Sequence, residues 1–284
     1  MSRARDLIAL TKPGVTRMCL LTTLGGLLLA PGAFSWSVTI AALVGTGAAV
    51  GGANAFNMWL EREADARMGR TRRRPLPAGR LHPDVAVRFA WLLSAISLVV
   101  LLLGTNLLTA MLAMLAIASY VLVYTPLKYR TPLALVIGAI PGAAPPLVGW
   151  TAVTGSIDAP AVVLFAILLV WQLPHFLAIA IYRQDDYARA GIKVVPVVRG
   201  VPIAKIQSVA WCMVLVPLSM LLGPLGVAGD IYMLVAFLLG SAFLGWSFTG
   251  LNDRAGGRWA RGFFLASLFY VPALTVALVL DRVG

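Results

Sequence analysis

Runs of about 18–22 mostly apolar residues recur along this chain, and an α-helix needs a run of that length to cross a bilayer. Nine such runs can be delimited, at roughly 15–33, 37–58, 86–104, 106–124, 132–153, 160–182, 206–223, 230–250 and 262–280. Apolar residues fill 60% of the 284 positions and charged residues only 12%, which excludes an ordinary soluble domain. No stretch is left over for one. Residues 1–284 therefore read as one all-α, polytopic membrane domain of nine transmembrane helices. The opening segment carries Arg3, Arg5 and Lys12 but no small-residue cleavage site, so the first helix is expected to be retained. Cys19 and Cys212 fall inside spans, where they act as small apolar residues.

A net charge of +12 invites nucleic acid as a partner, but in a membrane chain the placement of Lys and Arg comes first, and no nucleic acid is expected. With the N-terminus inside, 22 of the 23 basic residues fall on one side and only Arg282 opposite. That predicts a multi-pass protein of the cell inner (plasma) membrane with cytoplasmic loops near 59–85, 125–131, 183–205 and 251–261. Two of these loops also hold six of the eleven acidic residues, next to helix ends.

In the first, Asn57, Glu61 and Asp65 are spaced i, i+4 and i+8, which in a helix is one face, and Asn54 extends the stripe one turn deeper. Two carboxylates and an amide oxygen suit Mg²⁺ shared with substrate phosphates. Arg70, Arg72, Arg73 and Arg74 follow, and guanidinium groups pair bidentately with phosphate oxygens. Spacing alone fits equally well a juxtamembrane cluster that binds anionic lipid headgroups. Asn54 and Asn57 weigh against that, because amides inside an apolar helix usually face a cavity.

In the second, Gln172, His175, Tyr182 and Asp186 fall near one face if the helix runs unbroken, with Asp185 turned away. Asp186 is the preferred carboxylate and Asp185 the fallback; Arg183 lies beside them at the helix end. His175 is deep in the hydrocarbon region beside Pro174, so it either bonds a neighbouring helix or meets a bound acceptor. Tyr120, Tyr124 and Lys128 form a third i, i+4, i+8 set, with Lys128 either at a phosphate or snorkelling from an aromatic belt.

Acidic helix ends follow the second and sixth spans, and basic short loops the fourth and eighth. The pattern predicts two four-helix halves plus a ninth helix around a central cavity, with the acidic motifs facing each other across it.

The stretches NMWLEREADARMGRTRRRPLPAGR, VYTPLKYRTP, GAIPGAAPPLVGW and WQLPHFLAIAIYRQDDYARAGI resemble the UbiA-type intramembrane prenyltransferases, and within them the protoheme IX farnesyltransferases, over nearly the whole chain. The PHF and DYxxAGI elements are the most discriminating. The resemblance implies transfer of farnesyl from farnesyl diphosphate to a vinyl group of heme B, giving heme O for heme-copper terminal oxidases, with Mg²⁺ as cofactor. It implies a metal set of Asn57, Glu61, Asp65 and Asp186. Lys128 and Tyr124 join these as catalytic residues, and Arg72, Arg73, Asn54, Tyr120, His175, Asp185 and Arg183 as substrate-binding ones. It also implies contact with heme A synthase or oxidase assembly proteins. Three positions depart from the pattern: Glu61 replaces an Asp, Gly14 a common basic residue, and Lys193 a usual proline. Rival readings are a prenyltransferase for a quinone-precursor ring, which His175 and DYARAGI oppose, and a transporter or lipid-binding protein.

Overall fold

A computed structural model describes residues 3–283, and every one of the nine expected runs corresponds to one membrane-length or near-membrane-length helix. A short α1 (Arg3–Leu10) precedes α2 (Pro13–Leu29), whose 17 residues are at the lower limit for a span. Next come α3 (Trp36–Leu60), a six-residue α4 (Arg62–Arg67), α5 (Pro83–Gly104) and α6 (Leu107–Ala118). A π-helical turn over Ser119–Tyr124 leads from α6 into α7 (Thr125–Leu127), so that 107–127 is one span. The second half comprises α8 (Ala134–Thr154), α9 (Ala159–Tyr182), the short α10 (Gln184–Arg189) and α11 (Val195–Val198), α12 (Val201–Met220) and α13 (Asp230–Thr249). α14 (Gly257–Leu280) is the ninth long helix. Eight helices are long and apolar enough to cross a membrane, and with α2 they make a multi-pass membrane protein.

Local chemistry sets the boundaries. Proline occupies the first turn of α2, α5, α9 and α12, where its missing N–H is no loss. Asn106 caps α6 by accepting from the Thr109 N–H at 2.9 Å. The π turn has its cause in Pro126, whose ring would collide with the carbonyl four residues back in a regular helix; the wider turn removes that clash. Thr125 Oγ1 donates to the Tyr120 carbonyl at 2.8 Å across it.

The repeat is visible in the helix ends. α3 stops at Leu60 and α9 at Tyr182, and each is followed, after one residue of broken geometry, by a six-residue helix along the rim. The halves meet where α2 packs on α8. That contact depends on absent side chains: a methyl at Gly26 would collide with the Pro146 carbonyl, and one at Gly149 with the Thr23 carbonyl. Lipid tails are as apolar as Leu, so helices in a bilayer gain by this close backbone approach rather than by hydrophobic burial.

Candidate active site

Between the halves, at the rim, lies a cavity with about 240 Å³ of water-accessible space. Asn57, Glu61 and Asp65 line one wall and are 2%, 5% and 0% exposed. The stripe survives the break at Glu61 because the i→i−4 bonds continue through it: Glu61 N–H to the Asn57 carbonyl at 3.0 Å, then Asp65 N–H to Glu61 at 2.7 Å. Thr71 Oγ1 donates to the Asp65 carbonyl at 2.9 Å and ties the following loop back to it.

Each polar group of the stripe has a basic partner. Lys12 Nζ donates to Asn57 Oδ1 at 2.8 Å, Lys128 pairs with Glu61, and Arg74 Nη1 bonds Asp65 Oδ2 at 2.7 Å. Asp65 Oδ1 is buried with no hydrogen-bond partner among the described residues. With Arg70 and Lys193, five cationic side chains share the cavity with two carboxylates, an excess suited to a multiply charged anion. Burial, reinforced by the Arg74 charge, lowers the Lys12 pKa to about 7. Burial and then the Lys12 charge lower that of Lys128 to about 7. Both amines are poised for an anion that would restore their protons.

Tyr120 and Tyr124 also face the cavity, their ring centroids 5.2 Å apart and Lys128 Nζ 5.7 Å from the Tyr124 centroid. Gly138 makes room for the Tyr124 ring, which would collide with any side chain there.

The opposite wall differs from the expectation of a facing acidic motif. It is formed by Phe176, Ile179, Ala180 and Tyr187, and Asp186 is off the lining. The backbone explains this. Bonds run from Arg183 N–H to Ile179 and from Tyr187 N–H to Arg183, so the stripe equivalent to Asn57, Glu61 and Asp65 is Ile179, Arg183 and Tyr187. Asp186, one residue out of phase, instead accepts from the Gly69 N–H at 3.4 Å and pairs with Arg189 and, at 3.8 Å, Arg183. Asp185 is exposed. Among the described residues no three His, Cys, Asp or Glu side chains gather as a metal cluster.

Other expected residues are dispersed. Arg72 and Arg73 are exposed outside the cavity, while Arg70 and Arg74 line it. Asn54 turns to the Thr11 carbonyl, its Nδ2 donating at 3.3 Å, and lines a separate apolar chamber of about 100 Å³ that also contains Val15 and Tyr120. Those two residues line both spaces. His175 is walled in by Trp171, Phe176 and Phe264. Its Nδ1 is 2.7 Å from Ser267 Oγ, whose own proton goes to the Phe264 carbonyl at 2.5 Å. Ser267 thus links the His175 ring to the backbone of α14.

Sequence reasoning assigned Lys12 to membrane topology, and its place in the site went unseen. The signal available was the Lys-Pro pair at a helix start: Lys12 adopts φ 49°, a left-handed conformation rare outside glycine, which turns its amine toward Asn57. At Lys193 the departure from proline has a structural use, since its N–H donates to the Lys128 carbonyl at 2.8 Å.

The chain is 51% identical over 277 residues to a protoheme IX farnesyltransferase of Anaeromyxobacter sp. (strain Fw109-5), covering 98% of this chain and 93% of that one. It is 48% identical over 280 residues to a protein of the same description from Myxococcus xanthus (strain DK1622), covering 99% and 95%. Among solved structures, that of a digeranylgeranylglyceryl phosphate synthase superposes with TM-score 0.80 at 17% identity, covering 99% of each chain. A UbiA homolog from Archaeoglobus fulgidus, bound to DMAPP and Mg²⁺, gives 0.69 at 16% identity, covering 96% of this chain and 99% of that one. The model of the UbiA prenyltransferase family matches residues 19–268, and the chain belongs to that family.

Proposed function

We infer that this chain is a protoheme IX farnesyltransferase, joining the farnesyl group of farnesyl diphosphate to a vinyl carbon of heme B, with water completing the hydroxyethylfarnesyl side chain of heme O. The observation that carries the reading is the cavity itself: a buried carboxylate stripe interleaved with five cations, sharing Val15 and Tyr120 with a neighbouring apolar chamber. A cationic rim beside an apolar space matches a diphosphate with an isoprenoid tail.

Lys12, Lys128, Arg70 and Arg74 hold the leaving diphosphate and stabilise its growing charge as the C1–O bond breaks. Asn57, Glu61 and Asp65 fit a divalent cation, since Asp65 Oδ1 is a buried carboxyl oxygen with no hydrogen-bond partner among the described residues. Mg²⁺ held there would neutralise further diphosphate charge. The faces of Tyr120 and Tyr124 shield the allylic cation from water and interact favourably with it. The vinyl π electrons then form the new C–C bond. Water adds to the carbon next to the pyrrole and loses a proton to solvent.

On the same reading the rim faces the cytoplasm from the inner membrane, which the one-sided distribution of Lys and Arg supports, and Asp186 shapes the site by holding the Gly69 loop. Hand-over of product to heme A synthase or oxidase assembly proteins belongs to this reading too. The test is the purified chain in liposomes with farnesyl diphosphate, Mg²⁺ and either heme B or a quinone-precursor aromatic acid, with products identified by mass. Farnesylated heme is expected. Prenylation of the aromatic acid alone would overturn the acceptor assignment.

A further inference from the structure

A second cleft, of about 490 Å³, opens at the rim end of α9, between Tyr182 and Arg183 and the start of α14. Arg258 and Arg261 of α14 line it together with Arg183. Phe264 forms its floor, 5.8 Å from the Tyr182 ring. None of the lining residues is acidic. Arg183 rests over the Tyr182 ring at 5.2 Å with only a 3.8 Å approach to Asp186, and Arg258 and Arg261 have no ion pair among the described residues.

Its position follows from the helix face. Arg261, Phe264, Val271 and Thr275 recur at spacings of about one and two turns, so they share a stripe of α14. At the far end of that stripe Val271 and Thr275 close on α2, with Thr275 Cγ2 2.9 Å from where a methyl at Gly25 would sit. At the rim end Leu265, which lines the cleft, is exposed. His175 lies between the two spaces: its ring is 5.0 Å from Phe264 of the cleft and 5.5 Å from Phe176 of the diphosphate cavity.

We propose that this cleft docks the two propionate carboxylates of the porphyrin acceptor, with Arg258 and Arg261 as their main partners, Arg183 beside them, and Phe264 under the macrocycle. This rests on the function inferred above and specifies its acceptor side. Arginines that served topology alone could lie anywhere along the rim; these converge on one aromatic floor beside the buried histidine. Propionates and vinyls stand on different edges of the macrocycle. An acceptor held here by its carboxylates directs its vinyl edge away from the arginines.

The experiment compares heme B with its dimethyl ester in the full chain and in Arg258→Gln, Arg261→Gln and the double variant, in phosphatidylcholine liposomes with and without phosphatidylglycerol. Esterification should raise KM in the unsubstituted chain by roughly tenfold, and the double substitution should raise the heme B KM by a similar factor. The double variant should no longer distinguish acid from ester, while KM for farnesyl diphosphate stays within about twofold. Persisting discrimination in the double variant, an unchanged heme B KM, or a defect seen only with phosphatidylglycerol, which marks a lipid-headgroup site, would overturn the proposal. Heme binding followed by tryptophan quenching without farnesyl diphosphate separates the two readings. If transfer fails but acid-selective, arginine-dependent binding remains, the cleft stands and the catalytic reading falls; absence of that binding sinks the cleft.

Discussion

Replacing Asp65 with Asn tests whether the buried stripe exists for a ligand or only for its own ion pairs. Coulomb attraction between Asp65 and Arg74 at 2.7 Å is about 6 kcal/mol at an effective dielectric of 20, but desolvation offsets most of it. A charge-assisted hydrogen bond of this kind contributes about 1.5–3 kcal/mol net, and a neutral one roughly half that. The substitution should therefore cost about 1 kcal/mol of stability and leave the protein folded in the membrane. Its effect on chemistry is larger. The new amide must keep its oxygen on Arg74, so its NH₂ takes the place of the unpartnered Oδ1 and directs a donor where an anion had faced the cavity. A cation ligand becomes a cation repeller, and kcat/KM should fall by about 10³-fold or more, on the order of 4 kcal/mol. Steady-state farnesyl transfer at varied Mg²⁺, with thermal stability measured in parallel, reads both quantities. Activity within tenfold of the unsubstituted chain and an unchanged Mg²⁺ dependence would refute the argument.

Three further outcomes follow from the geometry. Lys12 and Lys128 titrate near 7 in the free protein against an ordinary 10.5, and an anion raises both, so between those values diphosphate binding takes up protons. Calorimetry with farnesyl diphosphate in EDTA, in buffers of different ionisation enthalpy, should show uptake near pH ~8.5 and almost none below pH ~6; proton release at the higher pH would contradict this. Lys193→Pro deletes the N–H bond to Lys128 that Lys193→Ala keeps, so only the proline variant should lose the additional ~1 kcal/mol, about fivefold in KM for farnesyl diphosphate. Equal effects of the two would show that the backbone bond does not position Lys128. Gly26→Ala places a methyl against the Pro146 backbone, which cannot rotate aside, and should lower stability by roughly 2–3 kcal/mol, read as lost folded protein in detergent.

Much of the fold was legible because hydropathy runs and helix length obey the same constraint, the thickness of the bilayer. The Asn57, Glu61 and Asp65 stripe was legible because the helical bonds run on through Glu61. Asp186 shows where such reading stops: its helix breaks in the same way, but Asp186 is one position off the stripe, so a carboxylate aligned with His175 on paper holds the Gly69 loop instead. Arg70 and Arg74 could not be told from Arg72 and Arg73, because the turns over 68–81 have no period from which direction could be read. The partner of His175 is Ser267, 92 residues away, and no local pattern encodes that contact.

The most direct test of the account is a structure of the chain with Mn²⁺ and a non-ionisable farnesyl thiodiphosphate, the metal located by anomalous scattering. The metal is expected against Asp65 Oδ1, with diphosphate oxygens among Lys12, Arg74 and Lys128 and the tail past Tyr120 into the apolar chamber. Metal on Asp185 or Asp186 with Asp65 still bound only to Arg74 would contradict it.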